Sequence, residues 1–417
     1  MSELRWFVGI DWARKSHCVC LLDSEGNRVR EREVSHEGTA LNELCVWLEQ
    51  TTGASPGEIA VAIETPRGPL VELLLERGFK VFALNPKQLD RFRDRFTVAG
   101  AKDDSRDAQV LGHSLHTDRA AFRHLSIDDP LVIQLREWVG MHEDMTQERT
   151  RLANRLRSQL WRYYPQAEEL TQDVVDNWFL DLWELVPTPA KAERTSEKAV
   201  ARILKTHRIR RLDAAQVLGV LRKPPLTVAP GTVEAATAHI RTLVARLRLV
   251  NQQIKESEQR LDQFCEAIEA AAEQTPGQIC EQRDVAILRS CPGLGRINIA
   301  TLLAEASEPL QRRDYHVLRT LSGVAPVTRR SGRTHIVVRR HACNNRLRTA
   351  LYHWARVAMQ HDPVSTRRYK DLRHRGHTHA RALRGVGDRL LQLLCTLLER
   401  QTLFDPDQRK AQALKAA

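Results

Sequence analysis

Nine positions, Ile240, Leu243, Leu247, Val250, Ile254, Ser257, Leu261, Phe264 and Ile268, recur at alternating spacings of three and four, and among them Ser257 alone is polar. Such a stripe occupies one side of an α-helix along its whole length, so this stretch must fold as a long helix with another helix against it. Leu131, Leu135, Trp138, His142, Met145, Arg149, Leu152 and Leu156 keep the same spacing with polar interruptions. The spacing predicts a helical coiled-coil middle over 128–277, its two long helices paired within the chain or between chains as a dimerisation element. Between them, 165–231 reads as a helical insert whose Trp178, Phe179 and Trp183 form core; it ends in the Pro-rich Lys223-Pro224-Pro225-Leu226-Thr227-Val228-Ala229-Pro230-Gly231.

Residues 1–127 follow a different period. Trp6 to Asp11 and His17 to Leu22 are short apolar runs, Asp23-Ser24-Glu25-Gly26-Asn27 is a hairpin turn, and Arg28 to Val34 returns as a third strand. A helix with Leu41, Leu44, Cys45 and Leu48 on one face follows. Next come a strand over 59–64, a helix from Leu70, and a strand from Lys80 to Leu84 that Asn85-Pro86 breaks. The order βββαβαβα predicts a mixed α/β sheet with helices on its faces.

The last segment, 278–403, reads as mainly helical and basic, followed by a frayed tail over 404–417. The chain of 417 residues carries a net charge of +12, yet 311–400 alone holds 20 Lys+Arg against 5 Asp+Glu, which exceeds the whole chain's excess. That concentration favours a polyanion-binding surface, because each phosphate contact releases counterions; the competing reading is a solvated face. No run approaches the roughly 18 apolar residues of a membrane span, and the first residues lack a secretory core, so a soluble, unexported, cytoplasmic protein with no membrane partner is expected. Eight scattered cysteines with no zinc-type spacing indicate neither a disulfide framework nor a structural zinc.

Three sets of residues carry chemistry. Asp11 and Glu64 each end an apolar strand of the sheet, where a carboxylate is costly unless paired or metal-bound. In Ala101-Lys102-Asp103-Asp104-Ser105-Arg106-Asp107-Ala108, Asp104 and Asp107 stand at i and i+3, on one helical face. Hard oxygen donors of this kind suit Mg²⁺, with Mn²⁺ the alternative, and an ion pair of that type stabilises both oxygens of a displacement at phosphorus. The structural alternative is that Asp103 and Asp104 cap a helix. The second set is Cys291-Pro292-Gly293-Leu294-Gly295-Arg296 between apolar helical residues, which resembles a helix-hairpin-helix. Gly293 and Gly295 would bring backbone amides to a phosphate, flanked by Arg289 and Arg296. The third is Gly323-Val324-Ala325-Pro326-Val327-Thr328-Arg329-Arg330-Ser331-Gly332-Arg333-Thr334, with Arg339, Arg340, Asn344, Arg346 and Arg348 downstream: one hydroxyl in a Gly-containing loop among guanidiniums that bind phosphate oxygens.

Taken in order, these motifs resemble the DEDD-type transposases of the insertion sequence 110 family, the bridge-RNA-guided recombinases. Gly9-Ile10-Asp11 with its hairpin, the strand ending in Glu64, and Lys102-x-Asp104-x-x-Asp107-Ala108 look like that family's RuvC-like, RNase H-fold domain. Pro292-Gly293-Leu294-Gly295, Gly323-Val324-Ala325-Pro326, Ser331-Gly332 and Ala342-Cys343-Asn344-Asn345-Arg346-Leu347-Arg348 look like its C-terminal transposase domain. The resemblance implies that Asp11, Glu64, Asp104 and Asp107 hold Mg²⁺ and that Ser331 attacks DNA to form a phosphoserine. It also implies donor and target DNA as partners, selected by a structured noncoding RNA, and a composite site shared between subunits of dimers that assemble into a tetramer, in a bacterial, nucleoid-associated setting. Two other readings remain: a RuvC-like metal nuclease in which Ser331 is structural, and a non-catalytic nucleic-acid-binding relative.

Overall fold

The computed structural model describes residues 4–84, 86–93, 95, 103–126, 129–271, 281–332 and 334–409. Lys102 and Arg333 lie outside the described residues, as do the expected boundaries at 127/128 and 277/278 and the end of the tail from 410. The chain divides into two compact units, Met1–Asp129 and Pro130–Ala417.

In the first unit β1 (Trp6–Trp12), β2 (Ser16–Leu22) and β3 (Arg28–Ser35) form an antiparallel meander. The turn between β2 and β3 closes because the Asp23 carboxylate accepts the backbone N–H groups of Glu25 and Asn27 at 2.9 and 2.8 Å. α1 (Gly38–Thr52) leads to β4 (Ile59–Ile63), which lies parallel beside β1. α2 (Pro69–Glu76) leads to β5 (Lys80–Ala83), parallel to β4. After α3 (Pro86–Arg93) and α4 (Asp104–Asp118), the short β6 (Arg123–His124) closes an edge antiparallel to β5, giving the order β3-β2-β1-β4-β5-β6. The period of two sorts the side chains. Val8, Ile10, Val19, Leu21, Val61 and Ile63 join Leu41, Leu44 and Leu48 of α1 in one buried cluster, while Phe7, Cys20, Leu22, Ala60 and Ala62 join Ala108, Leu111 and Leu115 of α4 on the opposite face. A fully buried leucine such as Leu44 contributes about 1.5–3 kcal/mol to that packing.

The second unit is built on α5 (Pro130–Tyr163) and α10 (Thr232–Ala271). They run antiparallel within one chain: His142 meets Ser257, and farther along Glu148 pairs with Arg246 at 2.7 Å. Every apolar position of the heptad stripe is buried. The two polar interruptions answer each other, since Ser257 Oγ lies 2.9 Å from His142 Nδ1 and donates to the Ile254 carbonyl at 2.7 Å. The helix pair crosses two cores. Toward one end Leu152, Leu156 and Leu160 with Ile240, Leu243 and Leu247 pack on the insert, which comprises α6 (Asn177–Leu185), α7 (Pro189–Arg194), α8 (Glu197–Thr206) and α9 (Ala214–Leu221). There Trp178, Phe179 and Trp183 are buried, and Trp183 Nε1 donates to Tyr163 at 3.2 Å. Toward the other end Leu135, Val139, Leu261 and Phe264 share a core with the basic segment. One rigid pair entering both cores is why residues from 130 onward form a single unit where composition suggests a division near 278.

The basic segment consists of α11 (Glu281–Ser290), α12 (Arg296–Glu305), α13 (Ser307–Gln311), α14 (Tyr315–Leu321), the hairpin β7 (Val327–Ser331)/β8 (Thr334–Val338), α15 (Asn345–His361), α16 (Pro363–His374) and α17 (His379–Arg400). Two expectations are corrected here. The Ser331 region, expected as a Gly-containing loop, is a two-stranded hairpin, because Val327, Ile336, Val337 and Val338 favour extended backbone. The tail is docked as far as Arg409: the Phe404 N–H donates to Ser290 Oγ at 2.9 Å, and the Arg409 guanidinium pairs with buried Asp362 at 3.2 Å. Among the described residues no helix is long and apolar enough to cross a membrane.

Candidate active site

The four acids arrive on three elements. Asp11 is the penultimate residue of β1, Glu64 follows the last residue of β4, and Asp104 and Asp107 begin α4. Gly9 pairs with Ala62 and Ile10 with Ile63, so Asp11 and Glu64 follow directly on the last paired rung of β1 and β4, with the Glu64 charge acting on Asp11. Parity puts Asp11 on the face that carries Phe7 and Gly9, which is the face α4 covers, and Glu64 lies in the bend that follows β4 beside it. The approach of α4 is unusually close: a Cβ added at Gly9 would lie 1.9 Å from the Ala108 carbonyl oxygen and 2.5 Å from the Gly112 nitrogen. A glycine in a strand interior marks this kind of backbone contact. With Ala108 and Gly112 seated over Gly9, the first turn of α4, with Asp104 and Asp107, extends toward the Asp11 end of β1.

The electrostatics agree with this placement. Asp11 is half-buried, and its pKa is raised from 3.8 to about 6, first by burial and then by the negative charges of Asp107, Asp104 and Glu64, with Arg93 opposing. Asp107 is 2% exposed and is held bidentately by Arg93 of α3, both contacts 2.5 Å. Arg93 also reaches Asp90 at 2.5 Å. Cys18 is Asp11's partner across β1 and β2, and burial together with Asp104, Glu33, Glu31 and Asp11 pushes its thiol pKa up, which keeps it protonated. Asp103 occupies the N-cap position of α4, yet its side chain makes no capping bond. Capping therefore does not account for the acids here. Among the described residues no three acids, histidines or cysteines close around one point at ligating distance. The donor set nevertheless fits a hard divalent ion: it is all carboxylate, runs from buried Asp107 through half-buried Asp11 and Glu64 to exposed Asp104, repels itself at Asp11, and already holds one cation, the Arg93 guanidinium. Arg93 and Cys18 escaped the sequence reading; nothing local separates Arg93 from Arg91 or Arg95, whereas Gly9 within a strand was an available signal of the α4 contact.

Ser331 ends β7, exposed, opposite Thr334, and Gly332 at φ 53° opens the turn between them. Among the described residues its hydroxyl has no hydrogen-bond partner. Arg329 and Arg330 are exposed beside it, and among the described residues neither is paired with a carboxylate. Arg340 donates to the Ala325 carbonyl at 3.3 Å, and Arg348 reaches Cys343 Sγ at 3.9 Å. Other arginines of the set are engaged. Arg289 pairs with Glu269 at 2.9 Å, and Arg296 pairs with Glu258 and Asp262 at 2.5 and 3.1 Å. Arg346 bridges Glu143 and Glu305 at 2.7 and 3.0 Å. The Arg289 and Arg296 pairs are exposed and worth about 0–1 kcal/mol each, so a phosphate can replace them; Arg346 is a structural tie between α15, α5 and α12.

The turn between α11 and α12 gives its two glycines different tasks. Gly295 is the N-cap of α12 with open space around it, as an approach to phosphate requires. Gly293 instead sits at φ 73° against α15, where an added Cβ would lie 2.6 Å from the Ala358 nitrogen. Close backbone packing against α15 therefore requires glycine at this position.

Comparison with known proteins gives matches at both ends of the chain. Residues 8–165 match the transposase model of the IS110 DEDD type, and residues 285–370 match the model described as transposase, IS116/IS110/IS902 family. The chain is 34% identical over 424 aligned residues, covering 100% of it and 99% of the relative, to the "Mini-circle putative transposase for IS117" of Streptomyces coelicolor. It is 57% identical over 209 residues to "Putative transposase y4uE" of Sinorhizobium fredii, a match spanning 50% of this chain and 58% of that protein. It is also 24% identical over 412 residues to an insertion element IS110 protein of Streptomyces coelicolor.

Proposed function

From the premise that this chain belongs to the IS110 family of transposases, enzymes that cleave and rejoin DNA, we propose that it cuts through a Ser331 phosphoserine with the help of a divalent ion held by Asp11, Glu64, Asp104 and Asp107. The observation that carries the reading is the delivery of four carboxylates from β1, the end of β4 and α4 to one face of the sheet. That arrangement also supports an RNase H-like identity for the sheet domain. A divalent ion there, Mg²⁺ in the first instance, would supply Lewis-acid stabilisation of charge at the phosphate.

In the proposed step the Ser331 Oγ–P bond forms as the bond from phosphorus to the leaving sugar oxygen breaks. The serine proton departs to a base, and the leaving oxygen is protonated. Attack by a hydroxyl of another strand then reverses the exchange and regenerates Ser331. Arg329 and Arg330 neutralise the nonbridging oxygens. His335 stands one rung from Ser331, opposite Arg330; the reading completes the site with groups outside the hairpin, including a second subunit. The reading includes donor and target DNA, guidance by a structured noncoding RNA, and assembly of dimers into a tetramer.

The test incubates protein, flanking noncoding RNA and labelled element-end DNA with Mg²⁺, followed by a denaturing gel. A protease-sensitive protein–DNA adduct, absent in Ser331→Ala, in Asp11→Asn and without the RNA, is expected. Cleavage without any adduct makes this a metal nuclease that activates water. DNA binding with no cleavage under any condition leaves a non-catalytic relative. Restoration of the adduct on mixing Ser331→Ala with Asp11→Asn protein checks the composite site.

A further inference from the structure

At the foot of the β7/β8 hairpin lies a cleft of about 240 Å³. Val324 precedes the hairpin and Arg339 follows it, while Arg348, Leu351 and Tyr352 come from α15 and Leu383 and Arg384 from α17. Its floor is apolar and buried at Leu351 and Leu383, its wall carries the half-exposed ring of Tyr352, and its rim carries Arg339, Arg348 and Arg384. Several partly buried guanidiniums of this unit are neutralised, Arg313 by Asp284, Arg319 by Asp388, Arg346 by Glu143 and Glu305 and Arg409 by Asp362, while Arg157 and Arg340 donate to backbone carbonyls. Among the described residues none of the three rim arginines meets a carboxylate. Burial and the nearby charges of Arg339 and Arg381 press against the Arg384 charge and lower its pKa. Arg339 is exposed, but Arg348 and Arg384 are half-buried over the apolar floor, where like charges are costly without an anion between them.

We infer that this cleft holds one unstacked nucleotide of a bound nucleic-acid strand, its base against Tyr352 and the leucine floor and its phosphate among Arg339, Arg348 and Arg384. A concave apolar floor with an aromatic wall suits a splayed-out base, which side chains hold by stacking on aromatic rings and guanidinium planes. A duplex backbone alone would need only the exposed arginines. The hairpin sets the distance to the reaction. From the foot pair Val327/Val338 to the tip pair Ser331/Thr334 is four residues, about 14 Å at 3.4 Å per residue. That is roughly four nucleotide steps of duplex at 3.4 Å each, so the held nucleotide lies a few steps from the phosphate at Ser331. The inference rests on the proposed handling of DNA but not on Ser331 being the nucleophile.

The experiment is therefore done on full-length Ser331→Ala protein in EDTA, by fluorescence anisotropy with labelled single-stranded DNA, duplex DNA and single-stranded RNA across a salt series. Tyr352→Ala is expected to weaken single-strand binding about tenfold with an unchanged salt slope, and Tyr352→Phe to restore it. Arg384→Gln with Arg339→Gln is expected to lower the slope of log affinity against log salt by about 0.7 for the lost phosphate contact. A larger Tyr352→Ala effect on DNA assigns the nucleotide to a DNA strand, and a larger effect on RNA assigns it to the RNA; both support the cleft. Normal binding by the parent protein with Tyr352→Ala unaffected overturns the cleft alone, leaving the arginines as a backbone contact. Failure of the parent protein to bind any oligonucleotide overturns both the cleft and the broader reading.

Discussion

Replacing Asp11 by Asn should make the metal-free protein more stable at neutral pH while abolishing its chemistry. The native state raises the Asp11 pKa from 3.8 to about 6 through burial and the charges of Asp107, Asp104 and Glu64. The folded form therefore binds more protons than the unfolded one between those two values, and stability falls as pH rises through that window. Below about pH 3.8 the penalty is absent, and above about 6 it is complete. At 1.36 kcal/mol per pH unit the span is worth about 3 kcal/mol at most, and solvent screening of a half-buried carboxyl reduces this to about 1–2 kcal/mol. An amide of the same shape removes the charge and most of the penalty. The assay is urea unfolding in EDTA at pH 5 and pH 8, read by hydrogen exchange of β1 and β2 amides so that the sheet unit is followed by itself. The Asp11→Asn protein should gain about 1–2 kcal/mol over the parent at pH 8 and less at pH 5. Equal or lower stability at pH 8 would show that Asp11 is neither buried nor crowded as the packing of α4 requires, and the assignment of a shared site would fall with it.

Arg93→Ala strips the partner from buried Asp107, a loss of about 3–5 kcal/mol for a fully buried pair and less here because Arg93 is 23% exposed. Millimolar Mg²⁺ should recover more stability in this variant than in the parent, measured by thermal shift; equal recovery would place the ion away from Asp107. Gly9→Ala should cost about 1–3 kcal/mol and abolish DNA cleavage, because the new methyl drives α4 and its two acids off β1; retained activity at wild-type stability would refute the packing argument. Ser257→Ala should cost about 1–3 kcal/mol by leaving His142 unpaired in the helix interface, whereas Ser257→Leu with His142→Leu should recover it. Denaturant midpoints of the two single variants and the double variant check the coupling.

Much of this architecture is a local property and was open to reading. The three–four spacing from Ile240 to Ile268 specifies a long one-sided helix because side-chain direction repeats with the backbone, and the short continuous apolar runs of β1, β2 and β4 specify strands covered on both faces. The acids could be nominated one by one, since a carboxylate ending an apolar strand is out of place wherever the strand lies. Their meeting could not be read that way. It depends on Gly9 pairing with Ala62, on β4 lying beside β1 despite the distance in sequence, and on α4 settling over Gly9. Arg93 became Asp107's partner only through that packing. The long helices likewise carried no mark of whether they pair within or between chains; the tertiary structure joins them inside one chain, with His142 and Ser257 as the matched polar pair. The sequence determined periods and charges, which belong to each segment alone. The tertiary structure decided which charges face one another, because electrostatic energy depends on distances that only the packed chain sets.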